Sequence, residues 1–339
     1  MQQRIDRLTT PAGVEIAFAS VGSGRPVVYV SGWLSHLQLS WELRQERAFY
    51  EGLAEGCHLV RYDRAGSGLS AGSSPQPSLL AELDQLSAVV AAIGSEPIDL
   101  VGTSMGALVA VAWSAAHPES VRRLVLYGGW ARGADISPAS AQENVLGLVE
   151  SHWGLGADVL TDIFAPDADA RTRKEFGRYQ RACSPATTAR DLLAMSYRLD
   201  VSDLLAQVRV PTLVVHRDRD RAVPLAQAQA LARGIPGAQL VVLPGRSHLP
   251  YIGDAHELVV TIRRFLGLRV ARRGVGELTR RQREVAALVS EGCTNREIAT
   301  RLGIGERSAE GHVERIRLRL GVRSRAQIAA WYSAERDAS

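Results

Sequence analysis

The chain has 339 residues, 46% hydrophobic and 22% charged, values near the globular average that exclude collagen-like, coiled-coil and wholly disordered chains. At roughly 150 residues per domain this length predicts two domains. The formal charge of +4 is uneven: residues 270–339 hold 14 arginines against nine acidic residues, a net of +5, which leaves −1 on the first 269. Such asymmetry fits a small basic tail that meets a polyanion such as nucleic acid, and equally fits a solvated arginine-rich face.

The most apolar stretch, 107–113, ends at Ser114, well short of the ~18 residues of a membrane-spanning helix. The opening MQQRIDRLTT lacks a basic segment followed by an apolar one, so neither a membrane partner nor a secretory signal is expected. Cys57, Cys183 and Cys293 are odd in number and lack CxxC spacing. They predict no disulfide framework and no metal site, no cofactor is expected, and a reducing cytoplasm fits best.

In chain order, short apolar runs at 27–30, 58–62, 98–101, 124–127, 212–216 and 240–243 are each followed by turn residues and mostly by helical patterns. This alternation predicts a parallel α/β sheet. Between 129 and 208 the strand signal stops, and 141–151 and 189–205 read as helices of an insertion over the sheet. Its aromatics, Trp153, Phe164, Phe176, Tyr179 and Tyr197, either line a pocket or pack the insertion's own core. After a helix at 255–266 comes LRVARRGVGE, an arginine- and glycine-rich stretch without apolar period, read as a linker. Four short helices are expected beyond it. Their starts are marked by Thr279 with Gln282, Thr294 with Glu297, and Ser324 with Gln327, each a capping hydroxyl three residues before a Glu or Gln.

The segment IDLVGTSMGALVAVAWSAAH runs from an apolar strand through Gly102, Thr103, Ser104, Met105 and Gly106 into a helix. A GxSxG between a strand and a helix reads as a nucleophile elbow: the serine sits on a strained turn where larger neighbours clash, and the helix N-terminus favours developing negative charge. Serine needs a base and an orienting carboxylate, in the order Ser, Asp, His for this arrangement. His248, in LPGRSHLPYIGD, and Asp220, in HRDRDRAVP, each follow a predicted strand. Asp218 competes with Asp220 but lies nearer the strand end. An oxyanion hole would take the backbone NH of Met105 and that of Trp33, in the Ser31-Gly32-Trp33 loop after the strand at 27–30.

With these residues in place, residues 4–268 resemble the α/β-hydrolase fold family, with a variable helical cap at about 130–208. YDRAGSGLS, with Gly66 and Gly68, resembles a structural turn of that family. Ser31 stands where the family commonly has histidine. The resemblance implies a domain over 1–268; the linker is read over 269–276, and Trp33, Trp153, Phe164 and Tyr197 are the candidate pocket residues, with packing in the core as the other reading. The family also includes members that bind a ligand without turning it over.

The tail has helix-turn-helix logic: a first helix at 294–302, a turn at 303–305, and a second helix at 306–320. Val285, Leu288, Ile298, Leu302, Val313, Ile316 and Leu320 fall at helical spacing and predict one small core, with arginines largely between them. Leu278-Thr279, Glu284-Val285, Gly292, Asn295, Glu297-Ile298-Ala299, Leu302, His312, Ile316 and Leu320-Gly321-Val322 resemble the LuxR-type (GerE-like) DNA-binding domain, which would occupy 277–339. The resemblance implies DNA as partner and a homodimer, often through the last helix, here about 324–332. Thr294, Asn295, Arg296, Arg307, Glu310, Glu314, Arg315, Arg319 and Arg323 become the candidate DNA-facing residues. Glu310 departs from the basic residue often found there; glutamate accepts from cytosine N4 but repels phosphate.

These readings favour a DNA-binding regulator whose hydrolase-like domain senses a small, apolar ligand and is equipped to hydrolyse it through Ser104, His248 and Asp220. The alternative is an active esterase-type serine hydrolase whose tail serves localisation or assembly.

Overall fold

The computed structural model describes residues 1–72, 76–94, 97–269, 278–322 and 324–337. The chain forms two compact units, Met1–Arg269 and Val270–Ser339. Arg269 apart, the expected linker at 269–276 lies outside the described residues.

The first unit is built on a sheet of β1 (Arg4–Thr9), β2 (Glu15–Gly22), β3 (Arg25–Val30), β4 (Cys57–Tyr62), β5 (Ile98–Thr103), β6 (Val121–Tyr127), β7 (Thr212–Arg217) and β8 (Gln239–Leu243). Its order is β1-β2-β4-β3-β5-β6-β7-β8. Neighbours from β4 to β8 run parallel, as alternating strands and helices predict. The sheet is nevertheless mixed, because β2 pairs antiparallel with both β1 and β4. Reading 4–22 as strands is difficult because RIDRLT is mostly polar, as edge strands are. A tight turn closes this hairpin, with Gly13 at φ +80° and Thr10 N–H donating to the Val14 carbonyl at 2.8 Å.

The central strands are apolar on both faces because both faces are covered; every residue of β5 is buried. The helix Met105–Ala116 follows it and is buried from Met105 to Ser114. That explains its hydrophobic character all round. Between β6 and β7 lie four helices, Ala139–Ser151, Trp153–Phe164, Ala170–Cys183 and Ala186–Arg198, in the region expected for the cap. Their Val149, Leu160 and Phe176 join the same apolar cluster as Val28, Leu100 and Leu108 of the sheet and its helix. The insertion's core is therefore continuous with the main one.

The second unit contains the helices Arg280–Ser290, Asn295–Leu302, Glu306–Leu320 and Arg325–Asp337. Thr279 with Gln282 and Thr294 with Glu297 form reciprocal capping boxes, and Ser324 and Gln327 exchange the equivalent bonds. Gly303 ends the second of these helices in the left-handed conformation at φ +62°, where glycine has no Cβ penalty. Val285, Ile298, Val313 and Ile316 are buried in one cluster, with Leu288, Leu302 and Leu320 packed against it.

Candidate active site and candidate nucleic-acid interface

Ser104 sits between β5 and the helix Met105–Ala116 with φ 56° and ψ −127°. It is the sole non-glycine residue with positive φ among the described residues, a strain that persists only when its surroundings over-determine it. The flanking glycines explain how. A Cβ on Gly102 would meet the Gly106 carbonyl oxygen at 2.6 Å, and one on Gly106 would meet the Val30 and Ser31 carbonyl oxygens at 2.3 Å. The Ser104 N–H is tied to the Tyr127 carbonyl at 2.8 Å.

His248 Nε2 lies 2.9 Å from Ser104 Oγ, and its Nδ1 lies 2.8 Å from Asp220 Oδ2. The other oxygen of Asp220 accepts from the amides of Ala222 at 2.8 Å and Val223 at 3.2 Å. Burial pushes the Asp220 carboxyl up, but the His248 charge and hydrogen bond, His216 and the Ala222 amide outweigh it and hold the pKa below the usual value. Asp218 is turned elsewhere: its carboxylate accepts from Gly245 N at 2.8 Å and its side chain is 41% exposed.

Three supporting residues carried no sequence signal. Buried His216 donates from Nε2 to the Val223 carbonyl at 2.9 Å and faces Asp220 at 3.8 Å; burial pushes its pKa down, against the pull of Asp220. Gly128 leaves room for the His248 ring, since a Cβ there would approach Cε1 at 3.0 Å. Buried Arg217, at the end of β7, donates to the carbonyls of Pro250 and Ile252 and so fastens the loop that carries His248. No motif links any of them to the serine; only the fold brings them there.

The expected oxyanion donors are the amides of Met105, the first residue of its helix, and Trp33, which lines the same cavity as Ser104 and His248. Arg64, in a buried ion pair with Glu82 at 2.9 Å, donates to the Ser31 carbonyl at 2.8 Å and fixes the loop leading to Trp33. The YDRAGSGLS turn is held by Asp63, which accepts from the amides of Leu37 at 3.0 Å and Leu69 at 2.9 Å. A Cβ on Gly68 would collide with the Asp63 carboxylate.

A cavity lies over Ser104, about 600 Å³ with the open solvent at its mouth counted. Of the four aromatics expected in it, Trp33 and Phe164 line it, while Trp153 and Tyr197 do not. Trp153 packs edge-on behind Trp33 at 6.1 Å, held there by donating Nε1–H to the Ser184 carbonyl at 3.0 Å. Tyr197 packs against the main apolar cluster. The cap reaches the site through Phe164, whose carbonyl accepts from His248 N at 2.8 Å and from Ser247 Oγ at 2.9 Å.

In the second unit, Arg307, Glu310 and Glu314 on the helix Glu306–Leu320 are exposed, as is Arg296 on the preceding helix. Other expected DNA-facing groups are engaged within the unit. Thr294 Oγ1 is taken up by its capping box with Glu297. Asn295 Oδ1 accepts from Arg325 at 2.8 Å, and Arg319 donates to Gln282 Oε1 at 2.7 Å. Arg315 is half-buried, its guanidinium close over Gly311. Arg323 lies outside the described residues.

Residues 25–255 match the family model described as alpha/beta hydrolase fold. Residues 276–332 match that described as bacterial regulatory proteins, luxR family. A pyrrolizixenacetamide deacetylase of Xenorhabdus hominickii is 27% identical over 258 residues, 74% of this chain and 94% of that protein. A pimeloyl-(acyl-carrier protein) methyl ester esterase of Neisseria meningitidis is 28% identical over 194 residues, 55% of this chain and 75% of that protein. Among solved structures, a thermophilic esterase from Thermogutta terrifontis aligns with a TM-score of 0.67 at 26% identity, covering 78% of this chain and 98% of that one. The chain belongs to the α/β hydrolase fold family and carries, C-terminal to that domain, a helix-turn-helix segment of the luxR family.

Proposed function

We propose that the chain is a DNA-binding transcription regulator whose hydrolase-fold unit takes up a small ester- or lactone-type ligand and cleaves it at Ser104. The observation that carries the reading is the unbroken hydrogen-bonded series Ser104–His248–Asp220, with the serine held at positive φ, in a chain that also bears a luxR-family segment. Two relatives named as a deacetylase and a methyl ester esterase support acyl transfer to water as the reaction class.

In this mechanism Ser104 Oγ attacks the acyl carbonyl and its proton passes to His248 Nε2. Asp220 holds the Nδ1–H and stabilises the imidazolium. The carbonyl oxygen, now negative, is met by the amide N–H groups of Met105 and Trp33. His248 then returns its proton to the departing alkoxide, leaving an acyl-serine that a water, deprotonated by the same imidazole, hydrolyses. The second unit binds DNA as a homodimer through the helix Glu306–Leu320, and a ligand shifts binding by its unequal affinity for two arrangements of the dimer.

Two assays on the full chain test the reading: turnover of short methyl and p-nitrophenyl esters, and retention of promoter DNA on a gel. We expect wild type to do both, and Ser104→Ala to lose turnover and keep DNA retention. Turnover that survives Ser104→Ala overturns the catalytic assignment. Turnover without DNA retention would instead favour a hydrolase whose tail serves localisation or assembly.

A further inference from the structure

Two buried side chains that line the cavity over Ser104 each hold an oxygen without a hydrogen-bond partner. Glu46, 4% exposed, lines this cavity. Its Oε1 accepts the Tyr50 hydroxyl at 3.0 Å, whereas its Oε2 has no hydrogen-bond partner. Gln180, 1% exposed, lines the same cavity from the cap helix Ala170–Cys183. Its Nε2 donates at 2.8 Å to both the Ala157 carbonyl and Thr161 Oγ1. A carbonyl oxygen only accepts, so the amide cannot be turned over, and Oε1 stays the unpartnered atom.

A buried polar atom without a partner costs stability, and two unpartnered oxygens on residues that line one cavity, Glu46 in its ionised form and Gln180, are complementary to a donor. The rest of the wall is largely aromatic and aliphatic, with Trp33, Phe164, Phe176 and Leu249. A purely hydrocarbon ligand would satisfy that wall and leave both oxygens without a donor. Resting on the proposed cleavage site, we infer that the ligand is an ester whose acyl part ends in a hydroxyl or amide N–H, bound by Glu46 Oε2 and Gln180 Oε1. These two residues touch the ligand away from the reacting carbonyl. They set specificity and take no part in bond breaking.

The test uses methyl esters of straight-chain C5–C8 acids paired with esters in which the terminal methyl is replaced by hydroxyl. kcat/KM is measured in wild type, and Kd by calorimetry in Ser104→Ala, which binds without turnover. We expect at least one pair to favour the hydroxyl ester by about tenfold or more in both assays, the discrimination that one buried hydrogen bond supplies. Glu46→Leu should abolish or reverse that preference while the methyl partner is still turned over. Gln180→Met is the second variant, expected to weaken the preference should Glu46→Leu not fold. Glu46→Gln presents an amide N–H in place of Oε2 and should raise affinity for a methoxy-ended ester relative to its ethyl isostere.

Equal constants for both members of every pair overturn the inference, as does absence of binding to Ser104→Ala. Loss of turnover alone, with hydroxyl-selective binding kept, overturns the cleavage reading and leaves the ligand inference standing.

Discussion

Asp220 and Asp218 differ in what each carboxylate reaches. Asp220 is anchored by two amides and by His248, whereas Asp218 caps a turn at Gly245. Asp220→Asn keeps an acceptor for the Ala222 and Val223 amides but places an amide N–H against His248 Nδ1, which enforces the wrong tautomer. We predict a loss of about 10³–10⁴ in kcat for ester hydrolysis with little change in melting temperature. A kcat within tenfold of wild type would remove Asp220 from the mechanism. Glu46 offers a second test. Burial raises its pKa from 4.5 to about 7, against the Arg61 charge and the hydroxyls of Tyr50 and Tyr251, with Asp63 adding to the rise. Between about pH 4.5 and 7 the folded chain therefore holds a proton that the unfolded chain has released, and stability falls as pH rises through that window. Glu46→Gln removes the effect, so its stability relative to wild type should grow by about 3 kcal/mol between pH 5 and pH 8 in ligand-free denaturant titrations. A pH-independent difference would contradict a Glu46 whose ionisation is opposed by burial.

At the scale of elements, the cap and the histidine loop are linked through one carbonyl. Phe164 ends a cap helix, accepts from His248 N and Ser247 Oγ, and lays its ring 5.7 Å from the imidazole and 6.5 Å from Trp33. Phe164→Ala should loosen the loop and lower kcat for ester hydrolysis by about ten- to a hundredfold, because small misplacements of a base are costly. Unchanged kcat would mean that the backbone carbonyl at 164 and Arg217 hold the loop without the help of the Phe164 ring. The strands that carry the site could be read from sequence because their apolar runs are short, branched and bounded by turn residues. The edge hairpin of β1 and β2 could not, because polar side chains blur its alternation. The order Ser, Asp, His is visible in one dimension, whereas His216, Gly128, Glu46 and Gln180 reach the site only by the folding of separate segments. Trp153 and Tyr197 mark the same limit: aromatic identity suggested a pocket, and packing direction decided otherwise.

At the scale of the molecule, the near-neutral first 269 residues and the basic tail divide as the two units do. Arginine count overstates the guanidinium groups free to meet a phosphate, because Arg319 and Arg325 donate to internal amide oxygens and Arg301 and Arg317 pair with Glu291 and Glu314. Exposed Arg307 should then carry a phosphate contact, and Arg307→Ala should reduce the slope of log affinity against log salt by about 0.9 per monomer. An unchanged slope would place the contact elsewhere. The central claim, that this regulator-like chain holds a working hydrolytic serine, is tested most directly by mass spectrometry after treatment with a fluorophosphonate probe, comparing wild type, Ser104→Ala and His248→Ala. The account predicts one adduct on Ser104 in wild type, none in Ser104→Ala, and labelling slowed by orders of magnitude in His248→Ala. An unlabelled Ser104 in the folded wild-type protein, or labelling indifferent to His248, would contradict it.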